Sequence, residues 1–438
     1  MKIPQHSPTR TVVTSFAAPS CGSPGGNGIS SFEYDGGVYV TSMASPYTQG
    51  TQSSTVAIRN CPLSCALSDR SILTYNVESM KLEHTIPEAH AQPISCVHYL
   101  HSSTMLASSG QDGYMRVFDL RNRATSGSSA TLSMTLGGRE QALALASGFG
   151  GTLLAVGGSS GKVYFYDLRK AGQPLGRYEN SHTEEVTQLQ FQTPSSNLLL
   201  TGGEDGLVCV MDTSQPSEDA ALKSVLNVSN SVRSLGFFGP NLEGVFCCTG
   251  SETLSCWHAE SAQRLCDYGG LGLRPHLSSQ LASTQQSPSL HNFNNTAKSI
   301  DYLVGGVWEE DVMVTNVIGQ PPQKGRLTLV TGTNNGDVAL YTTHANSISL
   351  QRTLTGGHKS VVRDYELIPR GSGKPPILIT GGEDARLCQW DLTIDESSNS
   401  PNSNLRGYRP SVEISPSRAG GGPAKRIHNK KKLPLAPY

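Results

Sequence analysis

Thr380-Gly381-Gly382-Glu383-Asp384-Ala385-Arg386-Leu387-Cys388-Gln389-Trp390-Asp391 is the stretch on which the reading of this chain turns. Small residues run into a tight acidic turn, and a second apolar run closes on an aromatic residue followed by Asp. The same order recurs in Ser108-Ser109-Gly110-Gln111-Asp112-Gly113, which closes at Phe118-Asp119, and in Thr201-Gly202-Gly203-Glu204-Asp205-Gly206, which closes at Met211-Asp212. Aligned on the closing position, copies fall at Tyr75, Phe118, Tyr166, Met211, Trp257, Tyr341 and Trp390, with spacings of 43, 48, 45, 46, 84 and 49 residues.

A period of roughly 40 to 45 residues built from short strands and turns is that of a four-stranded propeller blade. Runs such as Val186–Phe191, Asn197–Thr201 and Leu207–Met211 supply the strands, and no helical stripe competes with them. The 84-residue gap holds either two blades or one blade with an insertion. Pro275 to Thr296 is mostly Ser, Gln, Asn, His and Pro, without the apolar alternation that lets a strand bury one face. The expectation is therefore all-β, a seven-bladed β-propeller over 29–392, with a low-complexity insertion at 271–298 projecting as a surface loop. A flexible segment, 1–28, precedes it, and a disordered tail, 393–438, follows. The seventh copy supplies only three strands before the chain turns polar. Its missing strand is assigned to the N-terminal side, either Ile29–Tyr34 or Val38–Thr41, because an unclosed ring exposes two sheet edges.

His358, Thr380, Asp384 and Trp390 have the spacing of a buried polar tetrad. Asp accepts from His, the other ring nitrogen meets the Thr hydroxyl, and that oxygen accepts from the indole. A catalytic Asp-His-Thr reading is the lesser one. His90, Ser108 and Asp112 repeat the pattern but close on Phe118, and His182, Thr201 and Asp205 close on Met211. Degeneration around a ring suits packing, whereas a nucleophilic site needs one intact constellation.

Ten cysteines show no metal-ligand spacing, and several sit inside strands as small hydrophobes. Of the 46 glycines, the pairs Gly157-Gly158, Gly202-Gly203 and Gly381-Gly382 sit at strand ends. No phosphate loop is present, so no cofactor is expected. Residues 1–28 lack the basic start and apolar run of a secretory signal, and no 18-residue apolar stretch exists; a soluble intracellular protein without membrane contact is expected. The formal net charge of −1 hides a basic cluster at 425–432 containing Lys425, Arg426, Lys430, Lys431 and Lys432. Such a tail can serve nuclear import, contact nucleic acid or solubilise the chain end. The nucleus is the favoured location, with the cytoplasm second, and nucleic acid is expected only at this tail.

Gly357-His358 together with Trp390-Asp391 resembles the motif of the WD-repeat family, and the resemblance covers about four fifths of the chain. A narrower likeness to one subgroup lies in Ser181–Gln188, Glu204–Val208, Asp301–Gly306 and Thr380–Ala385, together with the basic tail. The family resemblance implies a platform without enzymatic activity for other proteins or peptides, and the propeller is expected to be monomeric. Phe118-Asp119-Leu120-Arg121 and Tyr166-Asp167-Leu168-Arg169 also resemble the aromatic-Asp-x-Arg motif with which some WD-repeat receptors dock on the adaptor of a cullin-type ubiquitin ligase. On that resemblance Asp119, Arg121, Asp167 and Arg169 are candidate docking residues. The competing reading is that Asp and Arg stabilise the exit of each strand.

Overall fold

A computed structural model describes residues 5–6, 10–13, 37–47, 61–100, 102–121, 130–170, 172–268, 273–283, 299–314, 323–344, 347–370 and 376–392. Among these, the strands form seven sheets, six of four strands and one of five, antiparallel throughout except for one short edge pair. Blade 1 is Val40–Ala44, Pro62–Leu67, Ile72–Asn76 and Leu82–Ile86, and the following blades repeat this inner-to-outer order. Their inner strands begin at Ile94, Ala142, Val186, Val232, Tyr302 and Val362. Each inner strand neighbours the next, and the seventh neighbours the first, so the ring is closed.

Seven hydrophobic cores lie between successive blades rather than within them. Strand alternation explains this, since neighbouring side chains point to opposite faces. In blade 7, Leu378, Cys388 and Trp390 pack against blade 6, while Ile377, Ile379 and Leu387 pack against blade 1. Every blade is thus apolar on both faces and needs two neighbours to bury them.

The closing strand comes from the N-terminal side, but from farther upstream than either expected segment. Arg10–Val13 pairs antiparallel with Arg386–Asp391, in register from Arg10↔Gln389 to Val13↔Arg386. Gln5–His6 adds a parallel fifth strand to blade 6 beside Thr353 and Leu354. The 1–28 segment, expected to be flexible, therefore contributes two strands. The Val38–Thr41 candidate falls instead at the inner strand of blade 1, where Val40 and Met43 pack against blade 7. Ile29–Tyr34 lies outside the described residues. The strand at 10–13 escaped the sequence reading because Thr-Val-Val is a short β-prone run set in Ser- and Pro-rich surroundings.

The 271–298 insertion also departs from expectation. Leu273–Ser283 forms a helix, and its Leu273, Leu277 and Leu281 are buried in the core between blades 5 and 6. Four-residue spacing places them on one helical face. The Gln280 side chain acts as a strand edge for blade 6, donating to Ile348 O (2.6 Å) and accepting from Leu350 N (2.8 Å). The Tyr341 hydroxyl, in the blade position where blade 7 has Trp390, donates to Leu277 O (2.8 Å). Residues 284–298 lie outside the described residues.

Leu277 is fully buried. Leu277→Ala should lower unfolding stability by about 2–5 kcal/mol, the range for an emptied core leucine, in denaturant titration of the full chain. A helix resting loosely on the ring would give a change near zero.

Candidate functional site

Each blade runs its inner strand from the face carrying the loop that enters the blade to the face where the first hairpin turns. The third strand ends on that second face. This follows from antiparallel order and recurs as a hydrogen bond from the residue leaving strand three to the start of strand two. Leu120 N reaches Thr104 O (2.8 Å), Leu168 N reaches Thr152 O (2.9 Å), and Ala259 N reaches Glu243 O (2.8 Å). The His and turn-Asp residues of the tetrads lie on the first face, and Asp119, Arg121, Asp167 and Arg169 on the second.

The blade 7 tetrad is fully connected. His358 Nδ1 lies 3.0 Å from Asp384 Oδ1 and Nε2 lies 2.8 Å from Thr380 Oγ1, while Trp390 Nε1–H donates to Thr380 Oγ1 at 2.8 Å. A ring N–H at Nδ1 donates to Asp384, and Thr380 Oγ1 accepts from the indole. The other Asp384 oxygen accepts from Lys359 N (2.7 Å), which ties the entering loop to the turn. Blade 2 repeats this with His90, Asp112 (2.9 Å) and Ser108 (2.7 Å), and blade 4 with His182, Asp205 (3.2 Å) and Thr201 (2.7 Å). Thr380, Thr201 and Ser108 are each completely buried, so these hydroxyls are hydrogen-bonding posts out of reach of substrate.

The glycine pair that opens the blade 7 turn has two separate causes. A Cβ on Gly382 would lie 2.8 Å from both Asp384 Oδ1 and His358 Nδ1, because those side chains meet directly over it. A Cβ on Gly381 would strike Val40 (2.8 Å) and Met43 (2.9 Å) of blade 1. One glycine admits the tetrad and the other admits the neighbouring blade.

On the opposite face, Asp119 and Asp167 each hold a turn. Each accepts from the backbone N–H two residues on at 3.0 Å, and Asp212 does the same for Ser214 at 3.1 Å. The arginines of blades 2 and 3 add a fork. Arg121 donates from Nε (2.9 Å) and Nη2 (2.6 Å) to Asp119, and Arg169 from Nε (2.9 Å) and Nη2 (2.8 Å) to Asp167. These forks hold both carboxyls down at about 2. The arginine side chains remain 69% and 71% exposed, with the Nη1 edges unpaired among the described residues.

The central channel opens on this same face as a cavity of about 560 Å³, walled by inner-strand ends that include His98, Gln188, Phe191, Tyr365 and Glu366. At the seam where blade 7 meets blade 1, Met43 N donates to Asp364 Oδ2 (2.6 Å) and Ser45 Oγ donates to Glu366 Oε2 (2.8 Å). Burial pushes Glu366 up to about 8, with the Asp364 charge adding to the rise, and burial lifts Asp364 to about 6. Burial lowers His98 to about 4, and its Nε2 lies 2.9 Å from Ser147 Oγ. The sequence reading passed over Asp364 and Glu366, although two carboxylates two residues apart on an inner strand, and so on one face of it, were a visible signal. Among the described residues no group of three or more His, Cys, Asp and Glu could hold a metal ion, and no helix is long and apolar enough to cross a membrane. Lys425, Arg426, Lys430, Lys431 and Lys432 lie outside the described residues.

A folded carboxyl raised above its unfolded value binds its proton more tightly in the native state. Its contribution is therefore fully present below the unfolded pKa and is lost as pH rises through the folded one. For Glu366 that window runs from 4.5 to about 8. Glu366→Gln keeps an acceptor for Ser45 and removes the ionisation. Thermal unfolding at about pH 5 and about pH 8 should show a smaller pH-dependent loss in the variant, by on the order of 1–3 kcal/mol. Equal slopes would place a compensating cation beside the carboxyl.

Residues 51–233 match the family described as Nucleolar protein 10-like, N-terminal domain. The chain is 30% identical over 310 residues to WD repeat-containing protein GTS1 of Arabidopsis thaliana, covering 68% of this chain and 67% of that protein. It is 27% identical over 180 residues to a WD repeat-containing protein 89 homolog of Dictyostelium discoideum, covering 41% of this chain and 47% of that one. A chain in a crystal structure of the mitotic checkpoint complex superposes with a TM-score of 0.58 over 87% of this chain and 99% of that chain, at 14% identity, which is a likeness of fold. Seven closed blades, the recurring His–Asp–Ser/Thr networks and the match along two thirds of a curated relative agree: the chain belongs to the WD-repeat family of β-propellers.

Proposed function

We propose that this protein is a non-catalytic scaffold that binds other proteins or peptides through the face carrying Arg121, Arg169 and the channel mouth. The observation that carries this reading is the pair of exposed guanidiniums, each held in one orientation by its own Asp. Side chains fixed before binding lose less entropy on association, and each free Nη1 edge offers planar donors to a partner carboxylate or carbonyl. The buried tetrad hydroxyls, each occupied by hydrogen bonds, accord with a platform rather than an enzyme.

A second reading gives that face a specific partner, the adaptor of a cullin-type ubiquitin ligase, with this protein as substrate receptor. It rests on the two neighbouring aromatic-Asp-x-Arg sequences and on their protruding arginines. Affinity purification of wild type against an Arg121→Ala, Arg169→Ala variant tests both. Partners held by wild type and lost from the folded variant are the expected result; adaptor and cullin among them support the receptor role, and their absence from both samples removes it. A partner set unchanged by the substitutions would move the binding surface elsewhere.

Within the family we assign the chain to the WD repeat-containing protein 89 group and to the nucleus. Segments such as Ser181–Gln188 and the Dictyostelium relative support the first. The basic cluster and the nucleolar description of the family matched by 51–233 support the second. Neutralising Lys425, Arg426, Lys430, Lys431 and Lys432 should shift a tagged protein towards the cytoplasm by microscopy, and an unchanged distribution would refute an import role. Salt-sensitive loss of nucleic acid with import intact would instead mark the cluster as a nucleic-acid contact.

A further inference from the structure

Blade 5 places two cysteines opposite one another. Cys256, on strand Leu254–His258, is the register partner of Cys266, on the outer strand Arg264–Asp267. Directly opposed residues in an antiparallel pair have Cα atoms roughly 4.5–5.5 Å apart, inside the roughly 4.4–6.8 Å window that a disulfide spans. Both are free thiols, Cys256 only 3% exposed and Cys266 partly exposed at the blade rim. We infer that this pair is an oxidation site, a cross-strand dithiol that a peroxide-class oxidant converts into a disulfide.

The electrostatics assign the order of attack. The two facing thiols are coupled: their interaction lowers the Cys266 pKa and raises that of Cys256, with burial adding to the rise. Burial pushes the thiols of Cys61, Cys65, Cys96, Cys209, Cys247 and Cys248 up, so these stay protonated and inert. The Cys266 thiolate attacks one peroxide oxygen; the S–O bond forms, the O–O bond breaks and hydroxide leaves, taking up the proton that Cys266 had released. Cys256 sulfur then attacks Cys266 sulfur, forming the S–S bond and breaking the S–O bond, while its proton joins the departing hydroxide as water. Two thiols lose two electrons and two protons, and the peroxide becomes two waters.

The outer strand is held to its neighbour by only three register pairs and a bulge between Cys256 and Trp257. A covalent link there would pin the edge of blade 5 just before the chain enters the helix at Leu273–Ser283.

The test is to treat the full-length protein with near-stoichiometric hydrogen peroxide, alkylate the remaining thiols, digest and map by mass spectrometry. A linked Cys256–Cys266 peptide, lighter by two hydrogens than its reduced parts and separated again by dithiothreitol, is the expected result. A Cys266→Ser variant with unchanged circular dichroism should lose the linkage and leave Cys256 alkylatable at the same dose. Full alkylation of both thiols in wild type, conversion of Cys266 to sulfinic acid without linkage, or equally fast oxidation of Cys256 in the variant would each overturn the assignment.

Discussion

A β-blade that is apolar on both faces is stable only between two neighbours, and everything else in this molecule answers to that constraint. The core is divided into seven parts, each shared by adjacent blades, so no blade owns the hydrophobic surface that stabilises it. Opening the ring at one seam would expose two faces and two edges at once. The region where blade 7 closes the ring accordingly carries links at several depths. Arg10–Val13 completes the outer edge, Gln389 donates to Val77 O (2.9 Å), and Asp364 and Glu366 bind blade 1 at the channel wall.

The tetrads follow from the same packing. A four-stranded blade turns sharply between its second and third strands, and the buried ends of those strands leave polar groups that water cannot reach. His358, Asp384, Thr380 and Trp390 satisfy one another there, which is why the network can lose its indole in blades 2 and 4 without losing the His–Asp–hydroxyl core. In blades 3 and 6, where the aromatic is Tyr, the hydroxyl finds a carbonyl outside its own blade instead: Tyr166 donates to Thr135 O (3.0 Å) of blade 2, and Tyr341 to the helix that packs over its blade.

Those networks leave one face occupied by structural polar groups. The other face presents the channel cavity and two arginines oriented by their own turn aspartates. A binding surface on a rigid closed ring needs no deep pocket, because specificity can be distributed over loops from several blades.

The blade count, the strand-turn-strand unit and the tetrad positions were legible in the sequence because each is local and repeats. The spacing from Thr380 to Trp390 is fixed by one hairpin, and a hairpin is read from neighbouring residues. The closing strand and the docked helix were not legible, since their partners lie far along the chain: Val13 pairs with Arg386, and Leu277 packs into a core shared by blades 5 and 6. A leucine every fourth residue within Ser- and Gln-rich sequence becomes a buried stripe only when a groove exists to receive it. The same holds for Asp364 and Glu366, whose raised affinity for protons comes from burial against blade 1, and for Cys256 and Cys266, brought face to face by strand register. The sequence by itself determined the repeat and hence the ring. Tertiary structure decided how the ring is closed and which titratable groups meet, because both depend on contacts between residues that the chain order keeps apart.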